Sequence, residues 1–193
     1  MRNNVRLEGK RVILETLKPE VVDQLWNDSI TEKIWTYLPK GFSNIDEFKE
    51  IFDSSFLRLD QGSEHPLSVY DKELKSYVGS TRLLNISMDQ RNVEIGWTWY
   101  IPEVWKSRVN TECKYLLLKY CFEDLKMLRV QFKTDSRNAQ SNRAILRLGA
   151  KKEGVLRKFG INHDGVVRDA NIYSILDDEW TEVKATFETE LLK

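Results

Sequence analysis

Cysteine and histidine are scarce in this chain of 193 residues, and their scarcity narrows the kinds of site it can hold. Its two cysteines, Cys113 and Cys121, lie on one predicted helix, about 12 Å apart along its axis, which is too far for a disulfide. Its two histidines, His65 and His163, show no metal-ligand spacing with a cysteine or with each other. The pattern predicts free thiols, which suit the cytosol, and argues against a metal site.

Long apolar runs and an excess of charge of one sign are also absent. No stretch approaches membrane-spanning length, and the first ten residues contain no apolar core of the kind that signal peptides carry. Thirty basic residues balance thirty acidic ones without forming a basic stripe, so a nucleic-acid partner is not favoured. With 41% apolar and 31% charged residues and no repeat or linker, the chain is predicted to be one cytoplasmic domain, residues 1–193.

Hydrophobic periodicity and turn residues predict an α/β chain in which strands and helices alternate. The predicted helices run from Pro19 to about Asp28, over residues 30–38, from a capping box at Asn44 to Gly62, over 111–125, over 138–148 and over 178–192. The predicted strands cover residues 11–16, 66–71, 77–86, 93–101, 129–134, 152–161 and 166–176. The core of the domain is expected at about residues 11–180, with the last helix packed on the outside.

The stretch from Asn92 to Glu123 combines a strand, a short loop and an amphipathic helix. Gly96 lies inside the strand, which suggests a β-bulge or the close approach of a ligand. Free N–H groups at the start of the helix, beside Lys106 and Arg108, are suited to bind a phosphate. The alternative is an ordinary strand-to-helix connection with two solvated basic residues, and the pattern alone does not separate the two.

Three further groups of residues could take part in chemistry, and each has a plainer structural explanation. Asn138 could contact a ligand and Ser141 could give up a proton, or Asn138 could simply cap the helix that begins there. Glu94 could be a general base if it were buried within reach of a substrate amine, although composition favours an exposed charge at the end of a strand. An aromatic group could line a pocket or pack in the core; it comprises Trp97, Trp99, Tyr100 and Trp105.

These segments together resemble the GNAT superfamily of N-acetyltransferases, and in particular the branch that contains the ribosomal-protein N-terminal acetyltransferases. The likeness extends from about Arg11 to Trp180. It is carried by the order of four motifs: EIGWTW with its following proline, the loop and helix through CFEDL, the segment RVQFKTDSRNAQSNRAILRLGA, and the ending EGVLRKFG…VRDANIYSILDDEW.

The resemblance implies a single GNAT-like α/β (α+β) domain. Its mixed, bent sheet would have six to seven strands, with splayed central strands and helices on both faces. It also implies acetyl-CoA as co-substrate, no metal, and direct transfer of the acetyl group to a primary amine. The residues that would bind acetyl-CoA are Trp97, Thr98, Trp99, Tyr100, Lys106, Arg108, Val109, Asn110, Thr111, Asn138 and Ser141. Ser141 would act as the acid, and Glu94 is the candidate base.

Three positions depart from the pattern of the family. Arg108 and Asn110 lie in the phosphate loop where glycine is usual, and Ile145 lies where many members have a tyrosine acid. These departures support two alternatives, a catalytically silent acyl-CoA-binding module and an α/β interaction domain without a cofactor. The sequence does not decide whether the protein forms a homodimer. It also does not identify the acceptor amine, which could be a protein α-amino group, an amino acid, a polyamine or an amino sugar. An acidic pocket formed by residues 19–62 and the turn at 162–167 would suit a cationic amine.

Overall fold

Residues 4–26 and 32–193 are described in a computed structural model, in which eight strands form one sheet packed against six α-helices. The strands are β1 (Arg6–Glu8), β2 (Val12–Thr16), β3 (His65–Asp71), β4 (Ser76–Ser87), β5 (Asn92–Tyr100), β6 (Arg129–Asp135), β7 (Lys151–Ile161) and β8 (Val167–Leu176). The helices are α1 (Pro19–Leu25), α2 (Glu32–Trp35), α3 (Ile45–Asp60), α4 (Val109–Lys119), α5 (Ala139–Arg147) and α6 (Trp180–Thr186). Single π-helical turns, Tyr120–Asp124 and Phe187–Leu191, continue α4 and α6.

The elements confirm the predicted α/β class, with one strand more than the six to seven expected. The additional strand is β1, whose three residues pair with β2 and are too few to give a periodic pattern. The predicted end of the first helix near Asp28 and the predicted start of the next at Ile30 lie outside the described residues. No helix in the described part of the chain is long and apolar enough to cross a membrane.

The sheet is mixed, and its middle is open. Its strand order is β1-β2-β3-β4-β5-β6-β8-β7, and among the described strands only β5 and β6 pair in parallel. That pair is held by three positions, 92–94 of β5 against 129–131 of β6, although both strands continue well beyond them. From Ile95 onward the two strands separate, so the predicted splay of the central strands is confirmed.

A β-bulge interrupts β5 where it leaves its partner strand. Gly96 lies opposite Arg82 and Trp99 lies opposite Ser80, so Trp97 and Thr98 together face the single residue between those partners. Trp97 takes up the extra length with a φ of 48°, in the left-handed region. A Cβ atom on Gly96 would come within 2.8 Å of Leu84 Cδ1, so a larger residue there would require the Leu84 side chain to move. The predicted bulge is therefore present, one residue after the glycine that suggested it.

Helices cover both faces of the sheet around this bulge. On the first face, here called the α3 face, the Trp99 ring lies 5.8 Å from the Phe48 ring of α3. Arg82 lies on the same face, with its guanidinium 5.2 Å from the Phe52 ring of α3. On the second face, here called the α4 face, Lys114 of α4 donates a hydrogen bond to Thr98. The helices on both faces are as predicted.

The C-terminal segment is anchored on α4 by buried aromatic rings. Trp180 stacks on Phe122 with ring centroids 5.4 Å apart, and the fully buried Phe187 lies 5.5 Å from Tyr115. Burying rings of this size stabilises a segment by several kcal/mol, on the order of 2–3 kcal/mol for each ring. The segment thereby fixes the helix that leads away from the bulged strand.

Candidate active site

The separation of β5 from β6 creates a cleft of about 1140 Å³. Its walls come from both strands, the start of α4, the first turns of α5 and the segment around α2. The predicted site residues that line it are Glu94, Trp97, Thr98, Trp99, Tyr100, Lys106, Asn110, Asn138 and Ser141. Three others, Arg108, Val109 and Thr111, are not among the lining residues. The topology thus gathers residues from three separate parts of the sequence.

The loop that leads into α4 has a regular backbone at the position where glycine was expected. Arg108 has φ −78° and ψ −7°, so an arginine fits there without strain. Its guanidinium donates to the carbonyl oxygen of Leu192, Val109 is buried in the core, and Thr111 accepts from Arg147 Nη2 at 2.7 Å. These side chains are engaged within the protein and do not line the cleft, which leaves the backbone N–H groups at the start of α4 as the part that could meet a phosphate.

The start of α5 is fixed by hydrogen bonds and carries a serine on the cleft wall. Asn138 Oδ1 accepts the N–H of Ser141 at 3.0 Å, so Asn138 is an N-cap, as its plainer explanation predicted. Asn142, which the sequence analysis missed, ties this turn to β8 by accepting from Tyr173 Oη at 2.6 Å and from Asn171 Nδ2 at 2.7 Å. Ser141 is therefore held rigidly in a half-buried position.

Glu94 is buried, with 4% of its surface exposed, so the prediction of an exposed charge at the strand end is wrong. Among the described residues, the donors to this carboxylate all reach Oε2: Asn85 Nδ2 at 3.3 Å, Gln131 Nε2 at 3.1 Å and Lys133 Nζ at 3.2 Å. The other oxygen, Oε1, lies 3.5 Å from the point that a Cβ on Gly96 would occupy. One oxygen thus anchors the group, while the other lies beside the open part of β5.

Residues 11–151 match a family model described as Acetyltransferase (GNAT) domain. The chain belongs to the GNAT acetyltransferase family. Its relatives include the uncharacterized N-acetyltransferase YoaA of Bacillus subtilis (strain 168), 25% identical over 88% of this chain and 96% of YoaA. A crystal structure of a GCN5-related N-acetyltransferase from Brucella melitensis is 26% identical with a TM-score of 0.88, over 97% of this chain and 85% of that one. Ribosomal-protein-S5-alanine acetyltransferase from Vibrio fischeri has the same fold, with 16% identity and a TM-score of 0.73 over 91% of this chain and 98% of that one.

This GNAT protein has a buried lysine in its cleft that the sequence analysis missed. Lys114 is 6% exposed, lines the cleft and donates to Thr98 Oγ1 at 2.6 Å, while Thr98 shares a second hydrogen bond with Thr81. Burial lowers the pKa of Lys114 to about 8. A signal was available, because position 114 lies on the same helical face as the buried Leu117, Leu118 and Cys121.

The charge of the GNAT cleft is strongly positive in the described part of the chain, where nine basic and three acidic residues line it. All three acids already contact a cation. Glu64 pairs with Arg58 and Arg82, Glu94 pairs with Lys133, and Asp135 pairs with Arg137. The acidic pocket imagined for a cationic amine is therefore not found among these residues. No group of three His, Cys, Asp or Glu side chains in the described ranges could hold a metal ion.

Proposed function

We propose that the chain is an acetyl-CoA-dependent N-acetyltransferase that transfers the acetyl group directly to a primary amine. The observation that carries the proposal is the separation of β5 from β6 in a member of the GNAT acetyltransferase family, which uses acetyl-CoA as co-substrate. In the reaction, a bond forms between the amine nitrogen and the carbonyl carbon while the bond from that carbon to sulfur breaks. The proton that the amine loses must leave, and the thiolate must be stabilised or protonated.

The open edge of β5 suits the pantetheine arm. Among the described residues, no strand pairs with β5 from Ile95 to Trp99 on its β6 side, so the backbone groups of that edge are available to pair with the amides of the arm. At one end of the edge, the start of α4 offers its N–H groups beside Lys106 and Asn110, in the field of the helix dipole. The N–H of Val109 already contacts Ser107 Oγ at 3.3 Å, so the neighbouring amides are the better donors to a pyrophosphate.

Two side chains are suited to move the protons. Glu94 is the proposed base, acting through Oε1 because Oε2 is engaged by three donors. Ser141 is the proposed acid, since its half-buried position on the first turn of α5 faces the cleft. A thiol pKa near 8.5 makes the thiolate a fair leaving group, so a hydroxyl is a sufficient donor.

The proposal extends to the setting in which the protein works. We infer a single cytoplasmic domain, in which the two buried cysteines stay reduced, and whose partners are acetyl-CoA and an amine acceptor. Neither nucleic acid nor a membrane is part of this proposal. A homodimer would be tested by measuring the molar mass in solution.

Binding is tested by thermal unfolding with and without acetyl-CoA. A ligand at a hundred times its dissociation constant adds about 2.7 kcal/mol to the free energy of unfolding, which is a rise of several degrees for a domain of this size. No rise at millimolar acetyl-CoA would refute the proposal and favour an interaction domain. A rise without release of thiol in the presence of any amine would favour a silent acyl-CoA-binding module.

The two proton-transfer roles are tested by substitution, with thiol release as the assay. Ser141→Ala and Glu94→Gln should each lower kcat by about 10²-fold or more, with a smaller effect on acetyl-CoA affinity. Ser136→Ala, at an exposed serine just before α5, is the matched control and should leave kcat unchanged. An unchanged rate in Ser141→Ala would transfer the role of acid to water.

A further inference from the structure

Two cations flank one aromatic ring on the wall of the cleft that carries Glu94. Lys133 Nζ of β6 lies 4.6 Å from the centre of the Phe159 ring of β7, and Arg168 Cζ of β8 lies 5.4 Å from it. All three residues line the cleft. Lys133 also contacts Glu94, so the series of contacts from Glu94 through Lys133 and Phe159 leads directly to Arg168.

Arg168 differs from Lys133 and Arg137 on this wall because it forms no direct ion pair with another described residue. Within the described ranges no carboxylate oxygen lies within 4.0 Å of it, and its buried Nε has no hydrogen-bond partner. Asp135 does not serve as partner, because Arg137 binds both its oxygens, Oδ1 through Nε at 3.0 Å and Oδ2 through Nη2 at 2.7 Å. A buried donor without an acceptor is costly, so a site of this kind favours an incoming anion.

The proposed phosphate site involves other residues than Arg168. The start of α4, with Lys106, is the proposed phosphate site, and Arg147 of α5 contacts Thr111 of that same helix. Arg168 lies instead with Lys133 and Glu94, on the side where the acceptor amine would meet its base. We therefore assign Arg168 to the part of the cleft beside Glu94, where the acceptor amine is proposed to bind.

We propose that Arg168 binds a carboxylate of the acceptor, so that the substrate of this protein is an amine that also carries a carboxylate. The inference rests on the proposed function, since it names the substrate class of the same cleft. A guanidinium matches a carboxylate with two parallel hydrogen bonds, and a weakly hydrated cation at an aromatic ring is well suited to partial burial. The carboxylate could belong to a free amino acid or to an acidic residue near the N-terminus of a peptide.

The test compares acceptors that differ only in this group. One arm uses α-amino acids and their carboxamides, and the other uses short peptides with aspartate or asparagine at the second position. The wild-type protein should prefer the carboxylate in at least one arm by about tenfold or more in kcat/KM, as expected for a hydrogen bond between charged groups. The arm that shows the preference identifies the source of the carboxylate.

Variants then assign the preference to Arg168. Arg168→Gln should reduce the preference to about twofold or less, chiefly by lowering kcat/KM for the carboxylate acceptor, and Arg168→Lys should retain part of it. Arg157→Gln, at an exposed arginine of β7 that does not line the cleft, is the matched control and should keep the full preference. A preference that survives in Arg168→Gln would overturn the assignment.

A second readout does not depend on turnover. In the presence of CoA, the carboxylate acceptor should raise the unfolding temperature of the wild-type protein more than its neutral counterpart does, and Arg168→Gln should abolish the difference. If the wild-type protein favours neither member of any pair in rate or in stabilisation, the proposed subsite is refuted, while acetyl-CoA binding and turnover still support the acetyltransferase. If acetyl-CoA itself fails to bind, the proposed function fails first.

Discussion

Replacing Lys114 with methionine should stabilise the protein at neutral pH. The lysine is 6% exposed, and burial lowers its pKa from 10.5 to about 8. At pH 7 the amine is charged in both the folded and the unfolded protein, so the folded state carries the full penalty for burying the charge. Methionine has a similar length and no charge, which makes Lys114→Met the change that removes this penalty with the least repacking.

The magnitude follows from the pKa difference. At 1.36 kcal/mol for each pKa unit, a fall from 10.5 to about 8 corresponds to a penalty of about 3 kcal/mol. The variant also loses the 2.6 Å hydrogen bond from the charged Nζ to Thr98 Oγ1, which contributes about 2 kcal/mol. The expected net gain at pH 7 is therefore about 1 kcal/mol in the free energy of unfolding.

The sign of the pH dependence is specific to a buried base. Between pH 8 and pH 10.5 the Lys114 amine is protonated more fully in the unfolded state than in the folded state. The contribution of Lys114 to the free energy of unfolding of the wild type therefore becomes less unfavourable as pH rises. The advantage of Lys114→Met should shrink over this window and reverse near pH 10.5, where only the lost hydrogen bond remains. Burial raises the pKa of the Cys113 thiol to about 12, which acts in the opposite direction above pH 9 but is present in both proteins.

The assay is urea unfolding of the wild type and Lys114→Met at pH 7, 8, 9 and 10, with Lys119→Met as control. Lys119 is exposed on the same helix, so its replacement should change the free energy of unfolding by less than about 0.5 kcal/mol at every pH. A variant that is destabilised at pH 7, or whose gain is the same at pH 7 and pH 10, would refute the account of Lys114 as a buried charge.

Two further predictions concern hydrogen bonds that hold the site in place. Asn138→Ala should cost about 1 kcal/mol through the loss of its cap to Ser141, measured by thermal unfolding without ligand. If acetyl-CoA affinity is unchanged in that variant, Asn138 is only a cap. Glu112→Gln should cost about 1–3 kcal/mol, because its buried carboxylate accepts the N–H groups of Lys10 and Arg11 and an amide NH₂ would oppose one of them. Unchanged urea unfolding in Glu112→Gln would contradict this role.

The features that the sequence predicted well are set by residues close to one another along the chain. Asn44 caps α3 as expected, with its Oδ1 accepting the N–H of Glu47 at 3.0 Å, while the Glu47 carboxylate accepts the N–H of Ser43, one residue before the cap, at 2.8 Å. Gly149 ends α5 with a φ of 94°, and β5 lies within one residue of its predicted bounds. In each case the deciding interaction spans only a few residues.

The features that the sequence analysis missed depend on contacts between distant segments. The burial of Glu94 is decided by Asn85 of the preceding strand and by Gln131 and Lys133 of β6, which lies beside it only after the chain has passed through α4. The partners of Asn142 on β8 are likewise remote in sequence. Local periodicity carries no information on such pairs. The balance of charges in the cleft therefore could not be predicted from the sequence without knowledge of the strand order.

The β-bulge at Trp97 shifts the alternation of side chains between the two faces of β5 by one position. Side chains of a regular strand alternate between faces, so Glu94, Thr98 and Tyr100 would share one side of an uninterrupted β5. With one extra residue inserted, Glu94 lies on the α3 face with Arg82, whereas Thr98 and Tyr100 contact Lys114 and Asn110 of α4. Deletion of Trp97 would remove the bulge and leave Thr98 beside Thr81 and Trp99 opposite Ser80, so the later residues of the strand would keep their present faces and Trp99 its contact with Phe48. The bulge thus accommodates the extra residue while the strand presents Glu94 on one face and Thr98 and Tyr100 on the other, and the chemistry of each face can change without altering the other.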